Sequence, residues 1–135
     1  MFIGQGRTRG GPLSREQSSI DELAASLRGA WGADTAWIDD WDPRNPSRGQ
    51  CGSSALVVHD FRGGTLMRGL VDDHPVRLTV HYWNALDRRK LDLTWQQFSP
   101  QARIVFGEPV DRADLLTTAW LTGRYEALRA RVTVK

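Results

Sequence analysis

The chain has 135 residues, 40% of them hydrophobic and 25% charged, values that exclude wholesale disorder and low-complexity fibre and fit one domain able to bury its own core. Its formal charge is only +2 although the pI is about 9.1; acids interleave with the arginines, which gives nucleic-acid binding little support. A single cysteine, the lack of a signal-peptide pattern and the lack of any apolar run near the ~20 residues of a membrane span point to a cytoplasmic, reducing setting with no membrane partner.

Residues from Met1 to about Arg15 are rich in Gly and Arg with almost no apolar period. They are expected to form a flexible arm over 1–17, ahead of a single α+β domain over 18–135. Ser19 and Glu22 stand at capping-box spacing, and Ile20, Leu23, Ala24, Leu27 and Trp31 follow at helical intervals up to Gly29 and Gly32. The stretch from Ala33 to Gln50 carries two prolines and reads as an irregular loop pinned by Trp37 and Trp41.

Cys51 to about Phe61 reads as a short helix with Cys51 at its N-terminus, stopped by Gly63 and Gly64. Thr65 to Val71 and Val76 to Leu86 read as strands; in the second, Val76, Leu78, Val80 and Tyr82 share one face, and Arg77, Thr79, His81 and Trp83 the other. Leu91 to Leu93 is the return strand. Thr94 and Gln97 then repeat the capping-box spacing around a helical turn with Trp95 and Phe98, and Ile104 to Phe106 is a further strand. The chain closes on a helical region opened at Asp111, with Leu115, Leu116, Ala119, Trp120, Tyr125 and Leu128 at helical spacing and a possible break at Gly123.

A cysteine is a strong nucleophile as thiolate, and a helix N-terminus favours that form through its unpaired N–H groups and the positive end of the dipole. The same N–H groups suit an oxyanion, with Gln50 as an extra donor. His81, set in a strand, is the candidate base. A two-residue turn at Asp87-Arg88 places Asp92 opposite Trp83 and diagonal to His81, roughly 7–8 Å away at Cα; a turn centred on Arg88-Arg89 places Asp92 opposite Ala85, about 13 Å from His81. Asn84 falls on the opposite strand face and ranks below Asp92 as an orienting group.

Each residue also has a plain structural reading. A lone cysteine commonly packs as a small hydrophobe, a histidine commonly serves as a hydrogen-bonded structural group, and Asp92 is suited to capping the turn at Thr94. Trp31 and Trp120 read as core; Trp37, Trp41, Trp83 and Trp95 remain as pocket walls. His59, His74 and His81 lack paired ligand spacing and one cysteine is too few for a structural zinc, so neither a metal nor a cofactor is expected.

The strings NPSRGQCGSSALVV (Asn45 to Val58), HYWN (His81 to Asn84) and LDLTWQQF (Leu91 to Phe98) resemble the small bacterial YunG-like family over roughly Ile20 to Val132. That resemblance implies a fold family and a set of residues, Cys51, His81 and Asp92 among them, without an activity. More coarsely, cysteine on a helix, histidine on a strand and an acid on the next strand is similar to papain-like and transglutaminase-like cysteine enzymes, although no glutamine stands at the papain-like distance before Cys51. The resulting expectation is a thiol hydrolase or acyl transferase acting on an amide or isopeptide bond of a peptide or protein. Cys51, His81 and Asp92 would be catalytic, and Gln50, Asn84, Trp83 and Trp41 would contact substrate. The alternatives are a non-catalytic peptide-binding or protein-binding module of the same fold, and a deamidase effector or its immunity partner. Oligomeric state is not legible.

Overall fold

Residues 12–73 and 77–134 are described by the structure, a computed structural model. The elements run α1 (Pro12–Ala30), α2 (Cys51–Arg62), β1 (Thr65–Asp73), β2 (Arg77–Leu86), β3 (Arg89–Leu91), a 3₁₀ turn (Trp95–Gln97), β4 (Arg103–Pro109), α3 (Arg112–Leu115) and α4 (Ala119–Arg131). The expected α+β class is borne out. The strands form one antiparallel sheet in the order β3-β2-β1-β4.

Leu23 and Leu27 of α1 and Trp31, the residue after its end, lie four residues apart and so form one stripe. That stripe is buried against Val57 and Val58 of α2 and Leu128 and Val132 at the C-terminal end. A second apolar cluster joins Ala55 and Leu56 of α2 to Leu66 of β1 and Leu115 of α3, with Tyr82 and Leu121 packed on it. Because α2 serves both clusters, every residue from Cys51 to Val58 is buried. The far end of α2 is tied by charge: Asp60 accepts hydrogen bonds from Tyr125 Oη at 2.5 Å and Arg112 Nη2 at 2.6 Å, and Arg112 Nη1 donates to His59 Nδ1 at 2.9 Å.

The first helix begins earlier than its capping-box spacing implied. It starts at Pro12, a residue whose missing N–H costs nothing in a first turn. Residues 12–17 of the expected arm are therefore helical, while residues 1–11 lie outside the described residues, as does His74. Ser19 and Glu22 fall inside the helix, where the Ser19 hydroxyl accepts a hydrogen bond from Arg62 at 3.2 Å. The C-terminal helical region breaks between Leu115 and Ala119, not at Gly123, which lies within α4. Thr118 is extended at φ −87°, ψ 107°, and the Thr122 hydroxyl bonds back to Leu116 C=O at 3.1 Å.

The β2–β3 hairpin pairs Leu86 with Arg89 and Asn84 with Leu91, which leaves Asp87-Arg88 as a two-residue turn. Both turn residues have positive φ, 50° and 68°, as a type I′ turn requires. Of the two registers open in the sequence, this one sets Asp92 opposite Trp83. Arginine is a poor residue for the left-handed region, where glycine is unstrained. Arg88→Gly is accordingly expected to raise the unfolding free energy by about 0.5–1 kcal/mol in urea titrations, with an unchanged m-value.

Candidate functional site

Cys51 is the first residue of α2 and is 3% exposed. The first hydrogen bond of the helix runs from Ser54 N–H to Gln50 C=O at 2.9 Å, so the N–H groups of Cys51, Gly52 and Ser53 have no partner within the helix. The chain reaches this point through Gly49, whose φ of +79° and approach to Ile38 leave no room for a side chain; a Cβ there would lie 2.7 Å from Ile38 Cγ1.

His81 on β2 and Asp92, the residue directly after β3, form a buried pair. Their side chains are 0% and 4% exposed, and His81 Nε2 meets Asp92 Oδ2 at 2.6 Å. An ionised carboxylate only accepts, so Nε2 carries the proton in this contact. The other carboxylate oxygen accepts from Thr94 N–H at 3.2 Å and the Thr94 hydroxyl at 3.4 Å. Asp92 thus both caps the turn at Thr94 and holds the imidazole.

Burial opposes charging of His81, yet the Asp92 hydrogen bond and the neighbouring Cys51 outweigh it and raise its pKa from 6.5 to about 9. Nδ1 is buried and has no aligned hydrogen-bond partner. With Nε2 taken by Asp92, Nδ1 is the nitrogen left for the thiol, which lies near enough to the ring to act on its charge without being in line for a formed hydrogen bond. The structure therefore brings Cys51, His81 and Asp92 together.

Aromatic rings enclose the imidazole. Trp83 stacks on it at 5.6 Å, and Phe98 and Trp95 present at 4.9 and 5.9 Å in edge geometry. Trp83 lies flat because Gly69 and Gly107 leave it a shelf: a Cβ on Gly69 would sit 2.7 Å from Trp83 Cη2, and one on Gly107 2.8 Å from Trp83 Cζ2. The two glycines are partners in the β1–β4 ladder, and Gly69 pairs with His81 on β2. This shelf was missed in the sequence, where its only signal is two glycines within strand patterns.

The expected substrate contacts fare differently. Gln50 is 0% exposed; its Oε1 accepts from Thr35 at 2.8 Å and its Nε2 donates to Gly32 C=O at 3.0 Å. It ties the approach loop to the end of α1 and does not face a cleft. Asn84 is also buried and donates to Ala55 C=O at 3.0 Å, clamping β2 onto α2. Trp41 donates to Pro46 C=O at 2.9 Å and closes its own loop, while Trp83 is 6% exposed and supports His81.

Cys51 instead borders a cleft of about 280 Å³ whose walls include Trp37, Val80, Tyr82, Trp120 and Leu121. Trp120, expected in the core, is 43% exposed there. It meets Trp37 edge to face at 6.1 Å, and Arg124 braces the pair, lying 4.0 Å over Trp120 and donating to Ala36 C=O at 2.8 Å. Trp120 is the second residue of α4, directly after the break at 116–118.

Among the described residues no cluster of three or more His, Cys, Asp or Glu side chains is placed to hold a metal, and no described helix is long and apolar enough to cross a membrane. A family model described as YunG protein matches residues 19–135. An uncharacterised protein, YunG of Bacillus subtilis (strain 168), is 33% identical over 79 residues, a stretch that spans 58% of this chain and 63% of that relative. No solved structure matches the chain.

Two outcomes test this geometry. Gly107→Ala is expected to cost about 1–3 kcal/mol in urea unfolding, because the added methyl displaces Trp83 from its shelf. Because the pKa of His81 is raised on folding, the stability contributed by its charged form is complete below about 6.5 and is lost as pH rises through about 9. Thermal midpoints are expected to fall over that window, and to fall less steeply in Asp92→Asn, which keeps an acceptor but removes the charge.

Proposed function

Because this chain belongs to the YunG family and sets a thiol at a helix start beside a carboxylate-held imidazole, we propose that it is a thiol hydrolase or acyl transferase acting on an amide or isopeptide bond. The observation that carries this reading is the unsatisfied His81 Nδ1 beside Cys51, with the opposite ring nitrogen locked on Asp92. Cys51 attacks the carbonyl carbon as thiolate, and the oxyanion is received by N–H groups at the start of α2, where Gly52 adds no side chain to the approach. The Nδ1 proton of His81 passes to the leaving nitrogen as the C–N bond breaks, leaving a thioester. Water then attacks that carbonyl, gives a proton back to His81, and the C–S bond breaks to release the acid and the thiolate. An amine in place of water makes the same steps a transfer.

The layout is similar to that of papain-like and transglutaminase-like enzymes, in which the thiol also sits on a helix and the histidine and acid on adjacent strands. Deamidase chemistry would use the same groups with ammonia as the leaving group. A second reading, a peptide-binding or protein-binding module with Cys51 as core, is favoured by the 3% exposure of that residue.

Alkylation separates the two. Iodoacetamide at pH 7 is expected to label Cys51 in the native protein, at a rate that drops about tenfold or more in His81→Ala. Cys51→Ser should abolish labelling while the fold is kept. A thiol that is labelled only after unfolding would sink the enzyme reading and leave the binding module.

A further inference from the structure

The cleft beside Cys51 describes what its occupant must be. Among the described residues its walls carry no acidic or basic side chain: Trp37, Val80, Tyr82, Trp120 and Leu121 supply most of the surface, and Thr118 with Ser53 supplies hydroxyls. The guanidinium of Arg124 is spent on the Ala36 and Trp120 carbonyls and on the Trp120 ring, and that of Arg68, which interacts with Tyr82, is paired with Glu108. An ionised group entering this space would lose water and gain no countercharge.

Size and shape narrow the choice. A cavity of about 150 Å³ holds one benzene ring, so the 280 Å³ here takes a single large side chain together with the backbone that carries it. Trp37 and Trp120 stand at 87° to one another, which makes a right-angled aromatic corner. A ring or a branched side chain touches both walls of such a corner, whereas a linear chain lies along one. Trp37, Val80 and Trp120 are each more than two-fifths exposed, an exposure that a residue seated between them would cover.

Resting on the reading of Cys51 as nucleophile, we infer that the acyl side of the substrate is a peptidyl group whose reacting residue carries a bulky, uncharged apolar side chain, aromatic or branched, seated between Trp37, Val80 and Trp120. Binding of that side chain places the carbonyl carbon at Cys51 Sγ. The thiolate forms the C–S bond, the bond to the leaving group breaks, and the proton from His81 goes to that leaving group.

The test uses the full chain and the p-nitrophenyl esters of N-acetyl-phenylalanine, N-acetyl-leucine, N-acetyl-alanine and N-acetyl-glutamate, with p-nitrophenyl hexanoate as a linear apolar acyl. Nitrophenolate release gives the acylation rate, and intact mass locates the acyl group on Cys51. The phenylalanyl and leucyl esters should acylate Cys51 about tenfold or more faster than the alanyl ester, with the glutamyl ester slower than the alanyl ester and hexanoate slower than both bulky esters. In Trp120→Ala, and independently in Val80→Glu, the ratio of phenylalanyl to alanyl rates should fall severalfold. Equal rates across the series, a preference for glutamyl, or hexanoate as the fastest probe would each overturn the inference while leaving the thiol reading in place, provided iodoacetamide labels native Cys51. Failure of iodoacetamide and every ester to modify the native protein would overturn both.

Discussion

Asp87 and Arg88 turn the chain in two residues, both at positive φ, and much of the site is built out from that turn. Side chains alternate along a strand, so a loop one residue longer would carry Asp92 to the opposite face of the hairpin. With the two-residue turn, Asp92 reaches His81 with one oxygen and the Thr94 N–H with the other. Thr94 then starts the 3₁₀ turn that brings Trp95 and Phe98 to the imidazole. From the same turn, Gln97 accepts from Gly49 N–H at 3.3 Å, and its carbonyl accepts from the Asn45 amide at 3.4 Å. The loop leading into Cys51 is thus fastened to the element that follows Asp92, and the thiol and the acid are positioned by one connected piece of backbone.

Burying an ion pair costs more than its attraction returns unless its remaining polar atoms are satisfied. Here both carboxylate oxygens and Nε2 have partners, and the faces and edges of the ring meet three aromatic side chains. A stacked indole offers its negative face to a cation, so Trp83 favours the charged imidazole that Asp92 also favours. Gly69 and Gly107 are the structural condition for this: any side chain at either position would take the space of the indole. Nδ1 is the atom of the pair left unsatisfied, and buried polar atoms of that kind are rare enough to call for a reason. Proximity to Cys51 supplies one.

The parts of this arrangement that were legible in the sequence are those set by local chemistry. The helix start at Cys51 follows from the loop signals before it and the apolar run after it, and the His81–Asp92 contact needs only a hairpin of known turn length. Gln50 and Trp120 were misread for related reasons. The direction of Gln50 depends on Thr35 and Gly32 in a loop without periodicity, and Trp120 stands just after a helix break that no Gly or Pro announces. The shelf under Trp83 requires the registers of three strands at once, and the Trp37–Trp120 corner joins two segments far apart in the chain. Likewise, Ser19 and Glu22 carry a capping-box spacing that the earlier start at Pro12 overrides.

The molecule consequently has two unlike sides around one sulfur. Behind Cys51 lies a buried compartment whose carboxylate and aromatic rings hold the imidazole; in front lies an open cleft walled by indoles and, among the described residues, by no charged side chain. Charge confined to the buried side interacts strongly with the thiol because little water screens it there. An apolar occupant on the open side would exclude water from the thiol as well and strengthen that interaction further. Occupancy of the cleft and the strength of the thiol–imidazole interaction are therefore physically coupled, which gives a reason for a buried charged pair and an apolar cleft to share a residue that is itself almost fully covered.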